Sequence, residues 1–443
     1  MKHSNLIASL SMIAVLCSQQ VESQISDSTE LLTLEKIWNI SALHNRQLKL
    51  SDLSRKESRL GTDEAKNRLL PELSVGGDFR LNSKFLVYEN GLFSSPQNVN
   101  VSHYGYSAGY HLNLNLYSGG KETRNIKMKQ EEELVKQYEF DLQKNNIKYN
   151  AAVAYYDLYK FLHFRTFISA EISAEKKQLT LVENLYKNGV IMKSDVLRIS
   201  VKLSQMELNL SDIEKKIDLA RQRLNILMGR ESNIPFDISY QDIFGPETIT
   251  EAHPDYIDIA LNNSPQYKIA YSNIILSELN IRQTKADLQP KVSLYSKYNY
   301  TFPQISFYPY SNDLWGFGQT GIQVQFSIDN LYKSRHSIAR AQNIYEQQKE
   351  KASIQKDEIT FRVNEAYLQE QQAFESVEMA EKNIKKSSET VRVIRNSYLN
   401  QESLLTDLLD AENILLEAKF NLITAQAELK LSHIRLLAIT GIL

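Results

Sequence analysis

The chain is short of the two residues that punctuate globular folds. Its 443 residues include only 15 Gly and 9 Pro, where ordinary usage gives roughly 31 and 22. Long uninterrupted elements are therefore expected, not the two or three compact domains that this length otherwise suggests. Cysteine is nearly absent. Cys17 stands alone, which excludes a disulfide framework. Charge of one sign is not in excess, since 51 Lys and Arg face 53 Asp and Glu, so no basic surface nominates nucleic acid as a partner. The 8 histidines are scattered, with no helical i, i+4 pair beside a carboxylate and no zinc-ligand spacing. Phosphate loops, nucleophile elbows and redox dithiols are missing too. The expectation is a chain with no metal, no cofactor and no enzymatic activity.

Long apolar runs are also lacking. The apolar stretch from Leu6 to Leu16 follows Lys2 and His3 and is too short for a stop-transfer helix, so residues 1–23 read as a signal peptide. Val21-Glu22-Ser23 places cleavage before Gln24, which removes Cys17. A lipoprotein reading would need a small residue before Cys17, where Leu16 stands. Past this segment no long apolar helix remains, which leaves strands as the only elements able to cross a bilayer.

The chain does carry an internal repeat. Ala154-Tyr155 recurs as Ala366-Tyr367, Tyr186 as Tyr398, Asp195-Val196-Leu197 as Asp407-Leu408-Leu409 and Gly229 as Gly441, each pair 212 residues apart. Upstream, Pro71 and Pro290 are 219 apart, which marks a loop insertion in the first half. The first repeat spans 24–229, with helices expected at about 34–70, 119–188 and 193–228 and strands within about 71–116. Residues 230–253, with Pro235, Gly245 and Pro246, read as a linker. The second repeat spans 254–443, with helices at about 254–289, 331–400 and 404–440 and strands within about 290–329.

Heptad spacing supports the helices. Val196, Ile199, Leu203, Met206, Leu210, Ile213, Ile217, Ala220, Leu224 and Leu227 alternate steps of three and four, and Leu408 to Ile439 repeat the rhythm with alanines that permit close approach. The strand segments show period two instead. Leu73, Val75, Phe79 and Leu81 alternate with polar residues, as do Tyr104 to Leu116, Val292 to Phe302 and Ile322 to Ile328. Strands of this kind suit an outer-membrane barrel, apolar face to lipid and polar face to a lumen. Four strands cannot close a barrel, so several chains must share one. The fold class expected is an α+β membrane protein with two internal repeats: four β-strands per chain contribute to a shared transmembrane β-barrel, stacked on a shared bundle of long antiparallel coiled-coil helices.

This pattern resembles the TolC-like outer-membrane efflux factors over nearly the whole mature chain. The resemblance rests on the doubled helix-strand-strand-helix-helix order, on Pro71 and Pro290, on Leu116-Tyr117-Ser118-Gly119-Gly120, on Tyr186, Gly189 and Asp195-Val196-Leu197, and on Tyr398 with Thr406-Asp407-Leu408-Leu409-Asp410-Ala411. It implies a homotrimer with a twelve-stranded barrel in the outer membrane of a Gram-negative bacterium and a helical tunnel in the periplasm. The implied partners are outer-membrane lipid, a periplasmic adaptor (membrane fusion) protein and an inner-membrane transporter. The implied function is a passive exit duct of a tripartite efflux or secretion system, opened by the adaptor and energised by the transporter. The alternatives are a periplasmic coiled-coil scaffold without a pore and a passive porin.

The resemblance also nominates site residues at the two helical turns. Asp407 and Asp410 match an acidic pair lining the periplasmic entrance, and a helix would put both on one face. The plainer reading of these two is helix-start chemistry with the dipole. Asp195 and Tyr398 match positions that join neighbouring helix pairs in the closed state, although Ser194-Asp195 also reads as an N-cap. Gly189 is expected to end a helix in a left-handed conformation. Ser403 stands where some members carry a basic residue that helps closure, with Lys193 a candidate substitute. The aromatic loop from Phe302 to Trp315 is expected at the cell surface or lipid interface.

Overall fold

The computed structural model describes residues 30–239, 254–400 and 402–443. The signal peptide, its cleavage site and Cys17 lie outside the described residues, as does 240–253 of the expected linker.

The first half contains β1 (Glu30–Leu32), α1 (Leu34–His44), α2 (Arg46–Asn67), β2 (Glu72–Leu81), β3 (Phe85–Val87), β4 (Gln97–Val99), β5 (Tyr104–Ser118), α3 (Lys121–Lys187) and α4 (Lys193–Leu227). A short β6 (Phe236–Ile238) follows. The second half contains α5 (Pro254–Asn263), α6 (Pro265–Lys285), a 3-10 turn (Ala286–Leu288), β7 (Lys291–Phe302), β8 (Trp315–Gln325), α7 (Asn330–Leu399) and α8 (Leu405–Thr440).

With no Gly or Pro inside them, α3 runs 67 residues and α7 runs 70, which at 1.5 Å per residue is roughly 100 Å each. The seam of α4 is buried at Ile199, Met206, Ile213, Ile217, Ala220 and Leu224, against α3. Helix α8 buries Leu408, Ala411, Ala418, Ser432 and Leu436 on the expected seam. A second stripe, Ile423, Ala427, Leu431 and Ile434, joins the largest core cluster beside Tyr155, Tyr159 and Leu162 of α3. Thus α8 packs on both repeats.

Three boundaries differ from the sequence reading. The helix expected over 34–70 is broken at Asn45. Its side-chain oxygen caps Gln47 N (2.9 Å) and Leu48 N (3.1 Å) while its amide donates to the Leu227 carbonyl (2.8 Å). The helix expected over 254–289 breaks at Ser264, because Pro265 at the first helical position pushes the residue before it out of the α region. The start of the expected linker is not loose. Strand β6 pairs in parallel with β1, and Phe236 and Ile238 are buried against α3. A three-residue strand is too short to reveal a period.

The four long strands form one antiparallel sheet in the order β2-β5-β7-β8. Strands from the two repeats meet at β5 and β7, with Tyr106 opposite Phe302 and Tyr110 opposite Tyr298. One face carries Leu73, Val75, Phe79, Leu81, Tyr106, Tyr110, Tyr300, Ile322 and Val324, all exposed. The other face is polar and concave, since recesses form on it between Glu72, Asn113, Ser293 and Gln323 and around Asp78, Ser107 and Lys297. Among the described residues, β2 and β8 each have one edge without a partner strand.

Candidate functional site

Two regions carry the features a channel needs: the tip of the helical hairpins and the polar wall of the sheet. At the tip, α3 ends on a left-handed residue. Gly189 has φ +74°, its N–H bonds the Tyr186 carbonyl, and Val190 N bonds the Leu185 carbonyl, the paired pattern that closes a helix end. The α7 end repeats the longer of these bonds, Glu402 N to the Ser397 carbonyl at 2.8 Å, and adds a side-chain one, since Ser403 Oγ donates to the Ile394 carbonyl at 3.3 Å. Ser403 thus acts as a neutral cap at the turn. Lys193 is exposed at the start of α4 and makes no ion pair among the described residues.

Asp407 sits in the first turn of α8, where its carboxylate accepts from Leu404 N at 3.2 Å. Asp410 lies one turn further along, and both side chains are exposed. The helix-start role of Asp407 is therefore present in the single chain, and both carboxylates remain open to solvent.

Asp195 and Tyr398 come together within one chain. Tyr398 packs against an apolar cluster of Val182, Ile199, Leu405 and Leu409, which joins the two hairpins near their tips. Burial in this cluster raises the Tyr398 hydroxyl pKa, and the negative charge of Asp195 adds to the effect. No hydrogen bond links the two among the described residues.

Just above the tip, four helices converge on a buried charge network that sequence reasoning did not find. Lys202 of α4 donates to Glu412 of α8 at 2.9 Å and pairs with Glu175 of α3 at 3.1 Å. Arg395 of α7 holds the other oxygen of Glu412 at 2.9 Å. The side chains of Glu175 and Glu412 are 0% and 3% exposed. Glu171, Glu175 and Glu412 carry carboxylate oxygens within 4.8 Å of one another, and the Lys202 ammonium supplies the cation such a cluster needs. Burial raises the Glu175 pKa, opposed by Lys202. The sequence signal was faint: Lys202 and Glu412 each adjoin a seam residue, Leu203 and Ala411, but lie 210 residues apart.

The polar wall is built in rows, because directly paired residues share a face. One row is Ser74, His111, Lys297 and Gln319; the next outward is Gly76, Gly109, Asn299 and Phe317; the third is Asp78, Ser107, Thr301 and Trp315. Trp315 and Phe317 therefore point to the polar side. The loop after β7 folds over that side too, with Phe307 edge-on to Trp315 at 5.3 Å. Of the two places expected for this aromatic loop, the lipid interface does not suit Phe307 and Trp315, which lie on the polar side of the sheet.

Comparison with known proteins agrees with this architecture. A family profile described as outer membrane efflux protein matches residues 39–230 and 256–442. Among solved structures, the outer-membrane channel OprN is similar with a TM-score of 0.77 at 18% identity, covering 92% of this chain and 89% of that one. VceC from Vibrio cholerae gives 0.75 at 16%, covering 92% and 96%. The Campylobacter jejuni outer membrane channel CmeC gives 0.78 at 13%, covering 92% and 85%. A search among curated protein sequences returns no match. These structural likenesses show the fold, and the family match extends over both repeats, so the chain belongs to the outer membrane efflux protein family.

Proposed function

We propose that this outer-membrane protein is the passive exit duct of a tripartite efflux or secretion assembly. Three copies form one barrel and one periplasmic tunnel, an adaptor opens the tunnel, and an inner-membrane transporter supplies the energy. The observation that carries this reading is the sheet: its apolar face is exposed, its polar face is concave, and its edges β2 and β8 are open. In lipid each unpaired backbone group on such an edge costs several kcal/mol, so β8 of one copy must pair with β2 of the next. Three copies of a four-stranded sheet close a barrel of twelve. The helices need neighbours as well, since Ile354, Phe361 and Leu368 repeat every seven residues along α7 and are all exposed.

At the far end of the tunnel, three copies of Asp407 and Asp410 make an acidic ring at the periplasmic entrance. Asp195 and Tyr398 hold neighbouring hairpins together in the closed state, at turns marked by Gly189 and Ser403.

Strand pairing between copies is testable because the only native cysteine is Cys17. Cysteines introduced as Ser74→Cys or Asp78→Cys in β2, each combined with Gln319→Cys or Gln323→Cys in β8, should yield oxidised ladders that stop at the trimer. Native mass spectrometry in detergent should show the same trimer. A dominant dimer would overturn the tunnel geometry, and release from membranes by high salt alone would favour the scaffold.

A further inference from the structure

The polar wall of the sheet contains a recess of about 780 Å³ whose construction goes beyond that of a smooth pore lining. Its floor is the row where β2 and β5 both carry glycine, Gly76 opposite Gly109. A side-chain carbon at Gly76 would meet nothing within 4 Å, so the space above it is open, whereas above Gly109 the Asn299 side-chain oxygen would lie 2.6 Å from such a carbon and already covers that half of the row. On one side of that floor stand Phe317 and Trp315, with Phe307 overhanging from the loop. On the other side stand Lys297 and His111, which face each other across the β5-β7 ladder.

The overhang is braced. Gln304, 3% exposed, bonds Ser311 through both backbone groups at 3.0 Å. Its side chain accepts from Ser306 N at 2.7 Å and donates to the Phe307 carbonyl at 2.7 Å. Trp315 Nε1 donates to Ser311 Oγ at 3.2 Å. The loop is tied to the first repeat as well. Asn312 accepts from Ser102 N at 2.7 Å and donates to the Asn100 carbonyl at 3.2 Å, and Phe85 meets Tyr310 edge-on at 4.8 Å. Phe307 is thereby held over the lumen by contacts from both halves.

Charge settles which solutes suit this recess. The carboxylate of Asp78 is engaged by Ser107 and by Arg80 at 3.0 Å. Lys297 has no ion-pair partner among the described residues. A flat aromatic ring entering over the open Gly76 can extend across the Asn299 amide toward Phe317 and Trp315, with an anionic group on that ring directed to Lys297, which lines the same recess. We propose that the recess is a subsite of the exit lumen that retains aromatic anions, such as aryl sulfonates and aryl carboxylates, during passage. This rests on the reading that the polar face lines a duct. Clefts of roughly 300–1,000 Å³ with an aromatic wall and a few polar groups are the usual form of small-molecule sites.

Single-channel recording of the full chain in planar bilayers tests it, with naphthalene-2-sulfonate as probe and neutral 2-naphthalenemethanol and cationic 2-naphthylmethylammonium as comparisons. The sulfonate should interrupt the current at the lowest concentration of the three. Trp315→Ala should raise its half-blocking concentration on the order of tenfold, the usual scale for losing one stacking partner. Gly76→Leu should abolish the block by filling the floor while sparing the ladder. Lys297→Gln should bring the sulfonate down to the level of the alcohol, and Lys297→Arg should restore it. Equal block by all three probes, or block unchanged in Gly76→Leu, overturns the subsite while leaving the duct intact. Absence of any channel current overturns the duct itself and the subsite with it.

Discussion

The two long hairpins descend from one repeat, yet they are packed in opposite styles. The first, α3 with α4, is pinned by bulk: Tyr155, Tyr156, Leu158, Tyr159 and Leu162 are buried in the largest cluster, capped by β1, β6 and α1. The second, α7 with α8, is seamed with small residues, since Ala341, Ala352, Ala366, Ala373, Ala380 and Ser387 make up most of what α7 buries. Interdigitated large side chains resist sliding, whereas a smooth alanine seam lets helices shift with little loss of contact. On the proposed duct reading, the difference predicts that the first hairpin stays fixed when the tunnel opens and that the second shifts at its tip, below the stretch where Ile423, Ala427, Leu431 and Ile434 anchor α8 in the same large cluster. What holds the mobile hairpin shut must then be local. Near the tip, the Lys202 network and the cluster around Tyr398 join the hairpins.

The sharpest way to break this division is Lys202→Met. Methionine keeps much of the length but strands Glu175 and Glu412 as buried carboxylates with one cation fewer, and breaking a buried pair typically costs about 3–5 kcal/mol. A fall in Tm should be accompanied by faster amide exchange in the α7–α8 tip than in α3. Equal exchange in both hairpins would mean that the second is no freer than the first. Arg395→Met should cost much less, because the Arg395 side chain is 54% exposed and screened pairs contribute little.

The division of labour was only partly legible in the sequence. The long helices were, because scarce Gly and Pro and the heptad rhythm are local signals. The strand faces were too, from Leu73 to Leu81 and Val292 to Phe302, because period two shows in a few residues. The closing elements were not. Asn45, β1 with β6, and the Lys202 network each join segments far apart in the chain, 182 residues for Asn45 and Leu227 and 210 for Lys202 and Glu412, and no local period encodes such a pair. The same is true of Phe307, whose inward direction depends on the Gln304 brace.

The pH response sharpens the comparison further. Burial lifts the Glu175 carboxyl above its ordinary 4.5, so the folded chain holds this proton more tightly than the unfolded one. The stability this contributes is complete below the unfolded value and is lost as pH rises through the folded one. Glu171, Lys202 and Glu412 face the same carboxyl, and Arg395 reaches it through Glu412. Glu175→Gln is neutral throughout and leaves Lys202 its bond to Glu412. Its Tm relative to the native chain should therefore rise with pH from about 4.5 and level off once pH has passed the raised folded pKa. A difference that does not vary with pH would show that Glu175 is ionised in both states.

A smaller effect on the fold, but a direct one on transport, is expected at the entrance. Exchanging Asp407 and Asp410 together for Asn preserves size and leaves a side-chain oxygen to accept from Leu404 N, so stability should change by no more than about 0.5 kcal/mol, the usual range for surface changes. Three copies would lose six charges around a narrow opening, where low-dielectric walls concentrate the field. Bilayer recordings should show reduced cation selectivity and weaker block by divalent cations. Unaltered selectivity would leave Asp407 with its helix-start role alone.

The smallest change is Tyr398→Phe. The ring stays in the cluster of Val182, Ile199, Leu405 and Leu409, so the two hairpins of one chain keep their apolar contact. Only the hydroxyl is lost, and within the chain that hydroxyl faces the charge of Asp195 without bonding it. Its hydrogen-bonding capacity is therefore free for a neighbouring copy, the arrangement proposed for the closed state. If the second hairpin is the moving part and this hydroxyl helps to hold it against the next subunit, Tyr398→Phe should raise single-channel conductance while leaving ion selectivity and Tm nearly unchanged. Asp195→Asn, at the facing position, should act in the same direction, and the double variant should add little because both remove one contact. Fully additive increases would mean that the two residues act through separate contacts, and no increase in either variant would leave the lock on the mobile hairpin to Lys202 alone.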